Sequence, residues 1–132
     1  MGEYLDVQRV NFEIKTDKKK AALNAIKSIE DPKGFVSPFY EDAKNLEYAL
    51  LSWRWESETN SAGDIIDITF IGEKLSDEHI LFAALAPFVT PGSYIEYKLG
   101  DGSLYRWAFN GKTLLEQVPE IIWPDINYRK GK

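Results

Sequence analysis

Apolar and polar side chains alternate over residues 5–14, with Leu5, Val7, Arg9, Asn11 and Glu13 on one side and Asp6, Gln8, Val10, Phe12 and Ile14 on the other. That period of two predicts a first strand. The period then lengthens: Ala22, Leu23, Ala25, Ile26 and Ile29 recur at helical spacing among lysines, after Thr16 or Asp17 as a cap and before a stop at Asp31-Pro32. Residues 34–45, with Phe35, Pro38, Phe39 and Tyr40 in loop-like chemistry, read as a long connection that hides a helical turn or has a role of its own. A period of two returns at 48–56, setting Leu51, Trp53 and Trp55 against Leu50, Ser52, Arg54 and Glu56. After the polar turn 57–63 it continues at 64–71, with Ile66, Ile68 and Phe70 opposite Ile65, Asp67, Thr69 and Ile71. These two strands predict a hairpin.

The next segment reads as a helix. Ser76 suits its N-cap, Asp77 and Glu78 suit its positive end, and Ile80, Leu81, Ala84 and Leu85 form an apolar stripe before Pro87. Beyond Thr90-Pro91-Gly92, strands at 93–99, 104–109 and 112–118 form a meander through Gly100-Asp101-Gly102 and Asn110-Gly111, the latter pair suited to a two-residue turn with positive φ at both positions. Residues 120–123 add a further strand or cover an edge, and 127–132 read as a basic, flexible tail. The order is β-α-β-β-α-β with an added C-terminal hairpin. This predicts an α+β, ferredoxin-like arrangement in one domain, residues 1–126, with both helices on one face of an antiparallel sheet and the other face open.

Composition narrows the chemistry. The 132 residues contain no cysteine, which excludes disulfide scaffolds, thiolate metal sites and cysteine nucleophiles. A single histidine, His79, excludes multi-histidine metal sites, and no Gly-x-Ser-x-Gly elbow accompanies it, so His79 reads as an ordinary helix residue. No apolar run approaches a membrane span, and no basic-then-apolar leader opens the chain, so a cytoplasmic protein without membrane contact is expected. The net charge of −5 conceals an asymmetry: residues 41–101 carry 4 basic and 12 acidic side chains, while 102–132 carry 5 and 3. Such a balance disfavours phosphate-backbone binding and favours steering of a basic partner.

Two groups of residues carry candidate chemistry. Glu56, Glu58, Asp64 and Asp67 surround the predicted hairpin, where crowded carboxylates serve as an acidic contact surface, a hard-cation site or an acid/base pair for hydrolysis. No calcium-loop register accompanies them. Trp53 and Trp55, like Tyr105, Trp107 and Phe109, fall at alternate strand positions and therefore share faces, either in the core or as a platform on the open side. Arg54 and Arg106 take the opposite faces. Gly100-Asp101-Gly102 lacks the helix start and lysine of a phosphate loop, and Lys18-Lys19-Lys20 reads as a solvated helix face.

At Trp53-Arg54-Trp55, residues 72–78, Ala86-Pro87-Phe88-Val89, Gly92-Ser93-Tyr94-Ile95 and Tyr105-Arg106-Trp107, the chain resembles a family of small uncharacterised bacterial and phage-borne proteins, over about residues 48–110. The resemblance implies a mobile-element accessory role, a class that includes anti-CRISPR and anti-restriction inhibitors, and it brings no catalytic residue. Taken with the acidic middle segment, the expectation is a non-enzymatic protein that engages a basic protein partner, such as a nucleic-acid-handling enzyme, with Glu56, Glu58, Asp64, Asp67, Trp53, Trp55, Arg54, Tyr105, Arg106 and Trp107 as contact residues. No metal, cofactor or direct nucleic-acid contact is expected in that reading. The alternative is a small-ligand or single-stranded nucleic-acid module that uses the open sheet face.

Overall fold

A computed structural model describes residues 3–29 and 43–128. Its elements, in chain order, are β1 (Leu5–Asn11), α1 (Lys19–Lys27), α2 (Leu46–Ser52), β2 (Trp55–Thr59), β3 (Ile65–Phe70), α3 (Glu78–Leu85), β4 (Tyr94–Leu99), β5 (Leu104–Phe109) and β6 (Leu114–Gln117). A 3-10 turn at Thr16–Lys18 leads into α1, and another at Ala86–Phe88, with Pro87 in its first turn, follows α3. No helix among the described residues is long and apolar enough to cross a membrane.

The chain is a mixed α+β fold with antiparallel sheets, but the strands form two sheets and not one. The larger runs β1-β4-β5-β6, and among the described residues β2 pairs only with β3. β1 and β3 lie side by side, joined by single bridges at Tyr4–Lys74 and Ile14–Ile65, with an open cavity of about 440 Å³ between those ties. The single antiparallel sheet of a ferredoxin-like order is therefore replaced by a four-stranded sheet and a hairpin that meets it edge to edge.

Strand alternation determines which side chains are buried. Val10, Ile95 and Trp107 align across β1, β4 and β5 on the inner face, as do Val7, Tyr97 and Tyr105. Phe82 of α3 sits against them, its ring 5.2 Å from Trp107, 5.1 Å from Trp55 and 6.0 Å from Phe109. The rings of Phe12 and Phe109 add edge-on packing at 5.6 Å. One apolar core thus gathers the inner face of the large sheet, the inner face of the hairpin and all three helices.

Several expectations change here. The period of two at 48–56 belongs mostly to a helix: Leu46, Ala49, Leu50 and Trp53 are buried at spacings of three, one and three, and Asn45 caps α2 by accepting the Tyr48 N–H at 2.9 Å. The strand begins only at Trp55, after Arg54 turns the chain at φ 73°. Asp77, not Ser76, is the N-cap of α3. The Asn110-Gly111 turn has positive φ at Gly111 alone, because the Asn110 side chain builds the turn by accepting the N–H groups of Lys112 and Thr113 at 2.9 and 2.8 Å. Residues 120–123 form no strand: they carry no regular structure and are exposed. The Asp31-Pro32 helix stop, the aromatic connection at Phe35, Pro38, Phe39 and Tyr40, and the last residues of the basic tail lie outside the described residues.

Candidate functional site

The four hairpin carboxylates divide into two groups. Asp64 is committed to the fold: its Oδ1 accepts the Thr16 N–H and the Thr16 hydroxyl, both at 2.8 Å, and it faces Lys15. The Thr16 backbone bond, and then the hydroxyl, hold Asp64 below the usual carboxylate range. Glu56, Glu58 and Asp67 instead share the outer face of the hairpin. Glu58 stands directly opposite Asp67 across the two strands, and Glu56 opposite Thr69. Among the described residues no lysine or arginine is ion-paired with these three, and no group of histidine, aspartate and glutamate is arranged to hold a metal ion. Lys19, at the start of α1, is bonded to Glu47 and to the Gly63 carbonyl.

The aromatic part of the expected surface is overturned. Trp53, Trp55 and Trp107 are core residues with 0–1% exposure, so none can meet a partner or stack on a ligand. Arg54 is likewise turned inward, donating to Glu78 Oε2 at 2.7 Å and lying over the Phe70 ring. Tyr105 is half-buried and stacked on Tyr97, whose hydroxyl burial pushes to a higher pKa, with the Glu116 carboxylate adding to the effect. Of the ten expected contact residues, Glu56, Glu58 and Arg106 are exposed, and Arg54, Asp64, Asp67 and Tyr105 partly so.

Arg106 lies in a constellation the sequence reading did not assemble. Across the open face of the large sheet, register aligns Arg9, Glu96, Arg106 and Gln117 on β1, β4, β5 and β6. Both guanidinium groups share one carboxylate: Arg9 Nε donates to Glu96 Oε1 at 3.1 Å, and Arg106 donates to Oε2 from Nε at 3.0 Å and Nη2 at 2.7 Å. The Arg9 bond, followed by that of Arg106, holds Glu96 below its ordinary pKa. Two cations on one anion leave the row net positive. It borders an open cavity of about 620 Å³ that also touches Leu104, Tyr105, Val118 and Pro119. A neighbouring row, Tyr94, Ala108 and Leu115, is more apolar. The signal was present in the alternation, but only the β1–β4–β5–β6 register brings these positions together.

A second feature escaped the period-based reading because it has no period. After β6 the chain runs from Val118 to Tyr128 without regular structure, and Val118, Ile121, Ile122, Trp123, Ile126 and Tyr128 are 68–87% exposed. Trp123 is the fourth tryptophan and, unlike the other three, stands in solvent.

No family model, curated protein or solved structure matches the chain.

Proposed function

We propose that the chain is a non-enzymatic binding protein whose hairpin face, Glu56, Glu58 and Asp67, engages a basic surface on a protein partner. The observation that carries this reading is the Glu58–Asp67 pair. Like charges directly opposite across antiparallel strands destabilise a sheet, and no internal cation among the described residues offsets the cost. An external basic surface would offset it. A nucleic-acid-handling enzyme supplies such a surface, since a groove built for phosphates accepts carboxylates in their place, and that partner class agrees with the mobile-element role the sequence resemblance implies. The surface is acidic more than aromatic, because the strand tryptophans are in the core.

The test is affinity capture from host lysate at low and high salt, run beside a variant carrying Glu56→Gln, Glu58→Gln and Asp67→Asn. Asp64 is left intact because it caps the fold. A partner held at low salt, released at high salt and lost in the variant supports the reading. A partner retained equally by the variant, or capture indifferent to salt, overturns it.

One observation favours a second reading, a small-ligand or single-stranded nucleic-acid module: the cavity beside Arg9, Leu104 and Arg106 on the open sheet face. Thermal shifts with nucleotides, short oligonucleotides and sugars test it, because a bound ligand raises the melting temperature by mass action. No shift with any of them removes this option.

A further inference from the structure

The C-terminal arm, residues 118–128, is rich in apolar side chains, and beyond Val118 and Pro119, which border the open-face cavity of their own sheet, the described residues leave it uncovered. Its six large apolar side chains are exposed, none of its residues makes a hydrogen bond among the described residues, and Pro119 and Pro124 exclude a helix. Apolar side chains scattered singly over a surface are ordinary, but six within eleven consecutive residues form a contiguous patch of the kind that marks an interface. The remaining question is what covers it.

We propose that two copies of this chain form a closed dimer by exchanging these arms, each lying on the open sheet face of the other. Three observations point to a second copy. The arm leaves directly from β6, an edge strand whose outer side has no strand partner among the described residues. Two β6 strands related by a two-fold axis can pair antiparallel and continue the sheet. In the register that sets Leu115 opposite its own counterpart, the apolar rows Tyr94–Ala108–Leu115 of both copies become continuous, and each Gln117 ends beside Thr113 of the other copy, so each arm starts next to the other copy's sheet. The alternative register would oppose Glu116 to itself.

Area supports the same occupant. The exposed apolar side chains offer on the order of 800 Å² per arm, so a reciprocal exchange buries about 1,600 Å² from the arms alone, the size of a stable interface. Charge supports it as well, since the arm brings Glu120 and Asp125 to a face whose central row, Arg9, Glu96 and Arg106, is net positive. This inference is independent of the acidic hairpin, and salt separates the two: screening weakens the hairpin contact but leaves apolar burial intact or stronger.

Sedimentation velocity of the full chain from low to high micromolar concentration tests the proposal, beside Trp123→Ala and Arg106→Glu. Trp123 is 87% exposed, so its removal leaves the fold intact, which circular dichroism verifies. The expected result is a species of twice the chain mass that persists at high salt and is weakened at least about tenfold by Trp123→Ala, as for a central aromatic anchor. Arg106→Glu should weaken it too; if that variant misfolds, Trp123→Ala still decides. A monomer at every concentration overturns the proposal, as does a dimer indifferent to Trp123→Ala. A monomer in which Trp123 emits as a buried residue also overturns it, because the arm would then lie on its own sheet.

Discussion

Arg54 and Glu78 form a largely buried ion pair, Nη2 to Oε2 at 2.7 Å, with Glu78 1% exposed. Glu78 Oε1 also accepts the Ser76 N–H at 2.6 Å, so one carboxylate ties the turn before α3 to the junction of α2 and β2. Arg54 reaches it from a left-handed backbone conformation, φ 73°, which any side chain but glycine adopts at a cost. A buried pair of this kind is destabilising to break and much less so to replace as a unit. Arg54→Ala or Glu78→Ala alone should each lose about 3 to 5 kcal/mol, while Arg54→Met with Glu78→Leu should recover much of that loss. Urea denaturation of the two single variants and the double variant checks it. Additive losses would show that the two residues act separately.

Three of the four tryptophans are in the core and Trp123 is outside it. In protein dilute enough to be monomeric, iodide should quench one emission component, red-shifted and abolished by Trp123→Phe, while the remaining emission stays blue-shifted and protected. Quenching that survives Trp123→Phe would place one of Trp53, Trp55 or Trp107 at the surface and restore the aromatic platform. Phe82 is the hub of that core, within ring contact of Phe12, Trp55, Trp107 and Phe109. Phe82→Ala should therefore cost about 3 to 5 kcal/mol, read by the same denaturation experiment.

The Asp64 cap gives the fold an acid limit. Its pKa is lowered in the folded state by the Thr16 N–H and hydroxyl, so the folded form favours the carboxylate more than the unfolded chain does. A depressed folded pKa means the stabilisation is present above the unfolded value, about 3.9, and is lost as pH falls through the folded one. Glu96, held low by Arg9 and Arg106, acts in the same direction. Melting temperature should fall as pH drops below about 5, and the fall should be shallower in Asp64→Asn, which already lacks the charge. An equal slope in both proteins would remove Asp64 from the account.

How much of this was legible depends on how local each feature is. β3, β5 and the Gly100-Asp101-Gly102 turn follow from short-range period and turn chemistry, and they fall where the pattern puts them. The 46–53 segment is ambiguous because Leu51, Trp53 and Trp55 satisfy a period of two while Leu50 and Trp53, three apart, satisfy a helical one. The decision rests on the Asn45 cap and on Leu46, which lie before the strand window, together with Ala49, buried one turn on. Arg54 looked like a surface residue because its partner, Glu78, is 24 positions away and chosen by tertiary packing. The Arg9–Glu96–Arg106 row is non-local for the same reason: β1 pairs with β4 across the whole intervening chain, a choice that hydrophobic alternation does not encode. The separation of Asp64 from its three neighbours likewise depends on Thr16, 48 residues earlier.

The same non-local logic separates stability from function on the hairpin. If Glu58 and Asp67 face each other for the sake of a partner, then relieving their repulsion should improve the fold and impair the contact. Glu58→Lys replaces a like-charge pair by an opposite-charge pair across β2 and β3, a change of about 0.2 to 1 kcal/mol in favour of the folded state. The same substitution turns an acidic contact into a basic one, so association with a basic partner should slow more than dissociation quickens, and more so at low salt. Thermal unfolding measures the first effect and stopped-flow association with the captured partner the second. A variant that is more stable and still binds at the original rate would show that the carboxylates are an ordinary solvated face, and a variant that loses stability would show that the pair is not repulsive in the folded protein.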